Sequence, residues 1–170
     1  MTEALDIAVS VPCRSWRRAV AGVEDVVRRA ARAAFEADPP AVARAEASLV
    51  LADDAFAQGL NRDYRGRDEP TNVLAFANLE DRGGKWVARA DNAPVALGDV
   101  VVAYETAAAE AAAAGKSLAD HLSHLVVHGM LHLLGYGHET DTEAEPMERL
   151  EIQVLFRLDV ANPYPDRAER

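Results

Sequence analysis

Apolar and polar residues follow two different periods along the chain, which predicts a mixture of strands and helices. Alternation of apolar and polar residues predicts strands at residues 4–11 and 45–52. Short apolar runs predict two more strands at residues 73–76 and 100–103. Residues 78–97, between these last two strands, are rich in glycine and charge and are predicted to form a loop.

Apolar residues at helical spacing predict the helices. One helix is expected over residues 15–36, ended by Asp38-Pro39-Pro40. A second is expected over residues 53–64, with Asp53 or Asp54 as its N-cap. The alanine-rich segment 104–114 favours a third helix, which Gly115 ends.

The C-terminal part of the chain predicts two further helices. Ser117 is a typical N-cap with Asp120 three residues later, and this helix is expected to run to about residue 134, with Gly135 as its C-cap. The last helix is expected to begin within residues 142–146 and to end near residue 158. Together the elements predict a single α+β domain, in which about five helices pack on a mixed sheet of about four strands.

The most informative segment is His128-Gly-Met-Leu-His132-Leu-Leu-Gly135-Tyr-Gly-His138. Residues four apart share one face of a helix, so His128 and His132 can direct two imidazoles at one ion. Gly135 lets the chain turn sharply, which can bring His138 to the same ion. Three neutral imidazoles suit zinc and leave one coordination position open for an activated water. The pattern predicts one catalytic divalent metal ion per chain, Zn²⁺ being favoured, on a central zincin-like helix.

Two more histidines, His121 and His124, lie on the same predicted helix, and all four share one face. The rest of this helix is apolar all round, which is typical of a buried helix. A buried row of histidines without a function would be costly to satisfy. Only the pair His128 and His132 is followed by a third histidine beyond a glycine turn, so His121 and His124 are assigned to supporting or packing roles.

Two other kinds of zinc site must be weighed. The spacing H-x-x-x-H-x-x-G-x-x-H matches metzincin proteases, but Gly129 stands where those enzymes carry their general-base glutamate. Proteolysis is therefore disfavoured. A structural zinc is normally closed by a fourth protein ligand, for which Cys13, Glu139 and Asp141 are candidates that the spacing does not single out. An open hydrolytic site is the preferred interpretation.

A second segment, LNRDYRGRDEPTNVLAF at residues 60–76, concentrates three arginines between a helix and a strand. The planar fork of arginine suits phosphate, because it can bond two oxygens at once. The same composition also fits a surface loop whose arginines pair with neighbouring carboxylates, and composition alone favours that loop. The residues concerned are Arg62, Arg65 and Arg67 with Asp63, Asp68 and Glu69.

Both segments resemble motifs of the YbeY family of rRNA-maturation endoribonucleases. LNRDYRGRDEPTNVLAF is similar to L-N-x-x-Y-R-x-x-D-x-P-T-[DN]-V-L-S-F, and HGMLHLLGYGH is similar to H-G-x-L-H-L-x-G-Y-D-H. Leu97-Gly-Asp, between them, resembles the family's L-G-D strand, and the likeness covers about residues 45–158. Gly137 replaces the usual Asp, and Ala75 and Ala77 replace the usual Ser and Pro, but none of these departures removes a ligand.

The resemblance implies a single-strand-specific, zinc-dependent endoribonuclease. Its implied roles are 3′-end maturation of the 16S rRNA precursor and late quality control of the ribosome's small subunit. His128, His132 and His138 match the family's metal ligands, and Arg65 matches the arginine assigned to catalysis or RNA positioning. The alternatives are a metalloprotease-like hydrolase and a non-catalytic ribosome-assembly factor with a structural zinc.

Other features bear on how RNA would bind. Tyr64 and Trp86 are candidate stacking platforms, although Tyr64 fits a core position equally well. The acidic run 139–151 is predicted to be a solvated helix face and turn. The net charge of −10, from 18 basic and 28 acidic residues, argues against non-specific nucleic-acid binding over the whole surface. Any RNA contact must therefore be local, and no DNA binding is expected.

The remaining composition bears on compartment. One cysteine excludes an intrachain disulfide, which favours a reducing environment. The chain has no signal-peptide pattern and no apolar run of about 20 residues that could span a membrane. A cytoplasmic protein with one domain over residues 1–170 is expected.

The ligand assignment predicts opposite results for two histidine substitutions on one helix. We expect His132→Ala to abolish metal binding, because it removes a ligand, and His124→Ala to retain it. Metal analysis of the two purified variants measures this directly. Loss of metal from the His124 variant alone would reverse the assignment.

Overall fold

A mixed four-stranded sheet forms the centre of the computed structural model, which describes residues 4–67, 71–78, 93–137 and 140–164. Strands β1, β2 and β4 run parallel to one another, and β3 is antiparallel to β4 at one edge. The strand order is β1-β2-β4-β3. The strands are β1 (Leu5–Ser10), β2 (Ala45–Ala52), β3 (Val73–Ala77) and β4 (Val95–Ala103).

Six helices accompany the sheet within the described residues, and the predicted α+β class is confirmed. They are α1 (Ser15–Ala19), α2 (Val23–Ala37), α3 (Asp54–Arg65), α4 (Tyr104–Ala113), α5 (Leu118–Leu133) and α6 (Asp141–Arg157). The expected N-caps form: the Asp53 side chain accepts from the backbone N–H of Phe56, and Ser117 accepts from that of Asp120. None of these helices combines the length and apolarity needed to cross a membrane.

The single helix predicted for residues 15–36 is wrong, because the chain turns between α1 and α2. Gly22 has φ of 62°, in the left-handed region that glycine adopts without strain. In α1, the Trp16 side chain is fully buried and its Nε1–H donates to the carbonyl of Ala52, 3.0 Å away. The turn lets Trp16 of α1 contact the end of β2 while α2 packs against α5 and α6. Helical periodicity alone did not reveal this break.

Strand β4 begins at Val95, earlier than the predicted residue 100, so the predicted loop over 78–97 is too long at its C-terminal end. The register of β4 against β2 shifts here: Glu46 pairs with Ala96, whereas Ala47 pairs with Gly98. The extra residue, Leu97, is a β-bulge that interrupts the alternation of apolar and polar residues. The pattern therefore hid the first half of the strand. Residues 79–92 of the predicted loop lie outside the described part.

Helices cover both faces of the sheet. Helices α2, α5 and α6 pack together on one face, where Val100 and Val102 of β4 belong to the main core. Helix α3 packs on the other face, where Leu74 and Val101 belong to a smaller core. Helix α5 lies between α2 and the β3–β4 pair, and it is therefore buried along most of its length.

Helix α5 approaches β4 most closely at Gly129. A Cβ added there would lie 2.6 Å from Cγ1 of Val100, closer than real Cβ contacts allow. The position thus points into the helix–sheet interface. A glutamate at this position, as in zincin proteases, would have to displace the sheet or the helix. The structure thus gives a steric reason why the general-base glutamate of those proteases cannot occupy this position.

We expect Gly129→Ala to be destabilising compared with Gly59→Ala, which adds the same methyl group inside helix α3 with only Arg62 Nη2 nearby, at 3.8 Å. Both variants gain the same helix propensity, so the difference isolates overpacking, which we put at about 1–3 kcal/mol. Urea denaturation measures it. Adding Val100→Ala should restore stability to Gly129→Ala, and equal stabilities of the two single variants would contradict the close contact.

Candidate metal centre

Four histidines form a row along one side of α5, as their spacing predicts. The ring centroids of His121 and His124 are 6.0 Å apart, and those of His124 and His128 are 6.3 Å apart. The rings of His128 and His132 are closer, at 4.7 Å. The row begins deep in the protein and becomes more exposed along the helix: the His121 side chain is 11% exposed and that of His128 is 21%.

The two histidines with the closest rings present their Nε2 atoms to each other. The distance between His128 Nε2 and His132 Nε2 is 3.2 Å. Two nitrogen ligands that each lie about 2.0–2.1 Å from a tetrahedral zinc are separated by roughly 3.3 Å. The side chains therefore already have a spacing that suits two ligands of one ion.

A buried carboxylate lies behind this pair. Glu151, on α6, is 0% exposed, and its Oε1 is 2.7 Å from Nδ1 of His128. Its Oε2 lies 3.1 Å from Nε2 of His124 and 2.7 Å from the hydroxyl of Tyr164. Burial raises the pKa of Glu151, but the hydrogen bonds with His124, His128 and Tyr164 and the charge of His128 outweigh it and lower the pKa to about 2.

Two histidine pairs have a spacing of four residues, His124 with His128 and His128 with His132, and these contacts distinguish them. Nε2 of His124 is directed at Glu151 and lies 3.3 Å from the Tyr164 hydroxyl. Nε2 of His128 instead faces His132, because its Nδ1 is the atom that meets Glu151. Nε2 of His124 thus contacts the buried carboxylate, whereas Nε2 of His128 faces His132 on the next turn of the helix.

The donor set suits a zinc ion, since two imidazole nitrogens have the required spacing and one is backed by a carboxylate. Within residues 4–67, 71–78, 93–137 and 140–164, no group of three or more His, Cys, Asp or Glu side chains is arranged to hold a metal. Cys13 and Asp141 therefore do not join the histidine pair as a closing ligand. His138 and Glu139 lie outside the described residues.

The chain turns at Gly135, just after α5. Gly135 has φ of 107°, a conformation that other residues rarely adopt, and the N–H of Tyr136 donates to the carbonyl of Leu131. The Tyr136 hydroxyl donates to Asp38, just beyond α2. Burial, together with this hydrogen bond and the charge of Asp38, raises the pKa of Tyr136 to about 12. The turn is thus tied to a second helix.

Gly137, which stands in place of the family's usual Asp, lies beside Glu143. A Cβ built on Gly137 would be 2.9 Å from Oε2 of Glu143. An aspartate at this position would therefore bring a second carboxylate against the first, and like charges repel. In this chain Glu143 supplies the negative charge next to the turn, so the departure does not leave the turn without a carboxylate.

Arg65 lies beside β3, at the edge of the sheet. It is the last residue of α3, and its Nη2 donates to the carbonyl of Ala75 in β3. Its guanidinium carbon lies 5.2 Å from the ring centroid of Phe76. Ala75 pairs with Val100, the residue that packs against Gly129 of α5. Strands β3 and β4 thus connect Arg65 with the helix that bears the histidines.

The other arginines of this segment behave as ordinary surface residues. Arg62 Nε is 3.2 Å from Oδ1 of Asp63, and both side chains are exposed. Arg67 is also exposed. The predicted surface pairing therefore applies to Arg62, whereas Arg65 is held by a strand. Asp68 and Glu69 lie outside the described residues.

Sequence reasoning missed Glu151. The acidic run 139–151 was expected to be a solvated face, but Glu151 is fully buried, and the expectation is wrong at this position. One signal was available: Glu151 falls at helical spacing within the buried stripe of α6, whose other members are Ala144, Met147, Val154 and Leu155. A charged residue in an apolar stripe indicates a buried partner, and here the partners are histidines.

The structure describes one of the two aromatic residues predicted as candidate stacking platforms. Tyr64 is 73% exposed, so it is not a core residue, and its ring meets that of Phe76 edge-on with centroids 5.8 Å apart. Trp86 lies outside the described residues.

Fold and site together define the class: an α+β domain whose buried helix presents paired imidazoles, an arrangement typical of metal-dependent hydrolases. A family model described as Endoribonuclease YbeY matches residues 12–159. The chain belongs to this family, which confirms the resemblance of its two motifs.

Individual relatives agree. A protein of Paramagnetospirillum magneticum named Endoribonuclease YbeY is 51% identical over 167 residues, covering 98% of this chain and 100% of the relative. One of Bradyrhizobium diazoefficiens with the same name is 47% identical over 167 residues, covering 98% and 86%. The solution structure of TM1509 from Thermotoga maritima superposes with a TM-score of 0.59 at 19% identity, covering 96% of this chain and 93% of that one, and supports the fold.

The contact between Tyr136 and Asp38 predicts a pH-dependent stability. Tyr136→Phe removes the hydrogen bond and should destabilise the protein by about 1 kcal/mol at neutral pH. Because folding raises the pKa of Tyr136 from 10.0 to about 12, this stabilisation is complete below pH 10 and disappears as the pH rises through 12. Urea denaturation of both proteins with chelator present measures the difference. A difference unchanged from pH 9 to 12 would contradict the assigned contact.

Proposed function

We propose that this chain is a single-domain, metal-dependent endoribonuclease, over residues 1–170, that cleaves single-stranded RNA. Its proposed role is 3′-end maturation of the 16S rRNA precursor and late quality control of the small ribosomal subunit, in the cytoplasm. Membership of the YbeY family supports the activity, since the relatives are named endoribonucleases. The observation that carries the proposal is the 3.2 Å separation of the two Nε2 atoms on α5.

The proposed cofactor is one Zn²⁺ per chain, held by His128, His132 and His138. The 3.2 Å separation of Nε2 of His128 and Nε2 of His132 supports two of these ligands, and the turn at Gly135 comes three residues before the third in the sequence. Bound zinc would polarise a phosphoryl oxygen and lower the pKa of a water. Three protein ligands, rather than four, keep one position available for the substrate.

Arg65 is proposed to stabilise negative charge that develops on the phosphoryl oxygens. A guanidinium has five N–H donors, and the bond to Ala75 uses only part of them. The contact with the Phe76 ring restricts the plane of the group, which lowers the entropy lost on binding phosphate. Tyr64, exposed beside the same ring, is proposed as a platform for a nucleobase.

Two attacking groups are consistent with these residues. The RNA 2′-hydroxyl would displace the 5′-oxygen of the next nucleotide and leave a 2′,3′-cyclic phosphate. A water would leave a simple phosphate monoester. Analysis of the product ends separates the two routes.

We expect purified protein to cleave single-stranded RNA, with cleavage lost on chelation and restored by zinc. His132→Ala should have no activity under either condition, because it lacks a ligand. Duplex RNA of the same sequence and a protein substrate serve as controls. Cleavage of the protein substrate would indicate the metalloprotease-like alternative. RNA binding without cleavage would indicate an assembly factor with a structural zinc.

Arg65→Ala should lower RNA cleavage by at least about 100-fold while zinc content stays unchanged, because the lost donors act in the transition state. Arg62→Ala is the matched control, since Arg62 lies on the same helix but pairs with Asp63 at the surface. Cleavage rates and metal content are measured for both. Equal activity of the two variants would remove Arg65 from the mechanism.

A further inference from the structure

Glu151 connects three parts of the chain through one buried carboxylate. It lies on α6, it is 0% exposed, and its Oε1 meets Nδ1 of His128 on α5 at 2.7 Å. Its Oε2 accepts from the Tyr164 hydroxyl at 2.7 Å and lies 3.1 Å from Nε2 of His124. Tyr164 belongs to the segment after α6, so the C-terminal chain is fastened to the same carboxylate.

The carboxylate determines which ring nitrogens carry protons. An ionised carboxylate can only accept hydrogen bonds, so each of its three partners must be a donor. A neutral His128 that donates from Nδ1 has its lone pair on Nε2, the atom that faces His132. A neutral His124 that donates from Nε2 has the opposite tautomer. The same carboxylate thus selects different tautomers for two histidines one helical turn apart.

We propose that Glu151 is a positioning residue for the metal ligand His128: it holds the ring in the Nε2-ligating tautomer and orientation, and Tyr164 fixes the carboxylate from its other oxygen. The proposal rests on the zinc site of the proposed function. A carboxylate behind a histidine ligand also makes the ligating nitrogen more basic and so strengthens its bond to a metal. Glu151 acts through His128 and does not itself touch substrate.

A purely structural role makes a different prediction. If Glu151 served only to join α6 to α5, a side chain of the same shape with hydrogen-bonding atoms would replace it. Glutamine is such a side chain, because its carbonyl oxygen can accept from His128 while its amide group faces His124 and Tyr164. Glutamine keeps the shape but lacks the negative charge, and its N–H₂ group donates where the carboxylate accepted, so His124 and Tyr164 must accept instead. Glu151→Gln therefore separates positioning of the ligand from packing of the helices.

The first measurement is zinc affinity at neutral pH, by competition with a chelating dye. We expect Glu151→Gln to bind zinc about 10–100-fold more weakly than wild type. Tyr164→Phe should weaken binding less, since it leaves the charge in place. Glu145→Gln is the matched control: it lies on the same helix but is 74% exposed and paired with Arg149, so its affinity should equal that of wild type. Thermal melting of the metal-free forms shows whether each variant is folded.

The second measurement needs no variant. Nitrogen-15 NMR of histidine-labelled, metal-free wild type reports the tautomer of each ring, and we expect the Nδ1–H form for His128 and the Nε2–H form for His124. An Nε2–H form for His128, or zinc affinity of a folded Glu151→Gln protein equal to wild type, overturns the proposal. Failure of wild type to bind zinc would instead overturn the proposed metal site, and the NMR result would then still test the role of Glu151 in selecting the tautomers.

Discussion

Helix α5 lies directly against strand β4 because residue 129 has no side chain, and the position of the histidines depends on this contact. A Cβ at Gly129 would overlap Val100, so only glycine allows the helix axis to come this near the sheet. The approach buries most of the helix in apolar surroundings and leaves the row of histidines as its polar side. The same contact leaves no room for a general base at that position, and the site therefore differs chemically from a zincin protease despite the shared spacing.

The histidine side of α5 can be buried because three of its four imidazoles contact a carboxylate. Glu110 faces His121, and Glu151 faces both His124 and His128. A buried carboxylate is costly unless donors surround it, and here three donors do. This arrangement ties α6 and the segment containing Tyr164 to the helix that carries the proposed ligands. The chemistry of the site and the packing of the C-terminal third of the chain therefore depend on the same carboxylate.

An acidic protein with a net charge of −10 must bind RNA through a few well-placed cations. Arg65 and Arg62 illustrate the difference between a placed and a solvated arginine on the same helix. Arg65 is held by a strand carbonyl and an aromatic ring, whereas Arg62 forms an exposed pair with its neighbour Asp63. An exposed pair contributes little to stability and reorients easily, whereas the contacts of Arg65 restrict the plane of its guanidinium, which suits the phosphate contact proposed for it.

The amino-acid sequence by itself determined the features that depend on near neighbours. These include the N-caps Asp53 and Ser117, the approximate bounds of most helices, and the histidine pair at i and i+4 on one face. Only the tertiary structure decided the features that depend on distant residues. The break at Gly22, the bulge at Leu97, the burial of Glu151 and the contact of Arg65 with β3 all arise from packing between segments far apart in the chain. A periodic pattern reports which side of an element is apolar, but it does not report which partner meets that side, and the partner decides whether a charge is solvated or held in place.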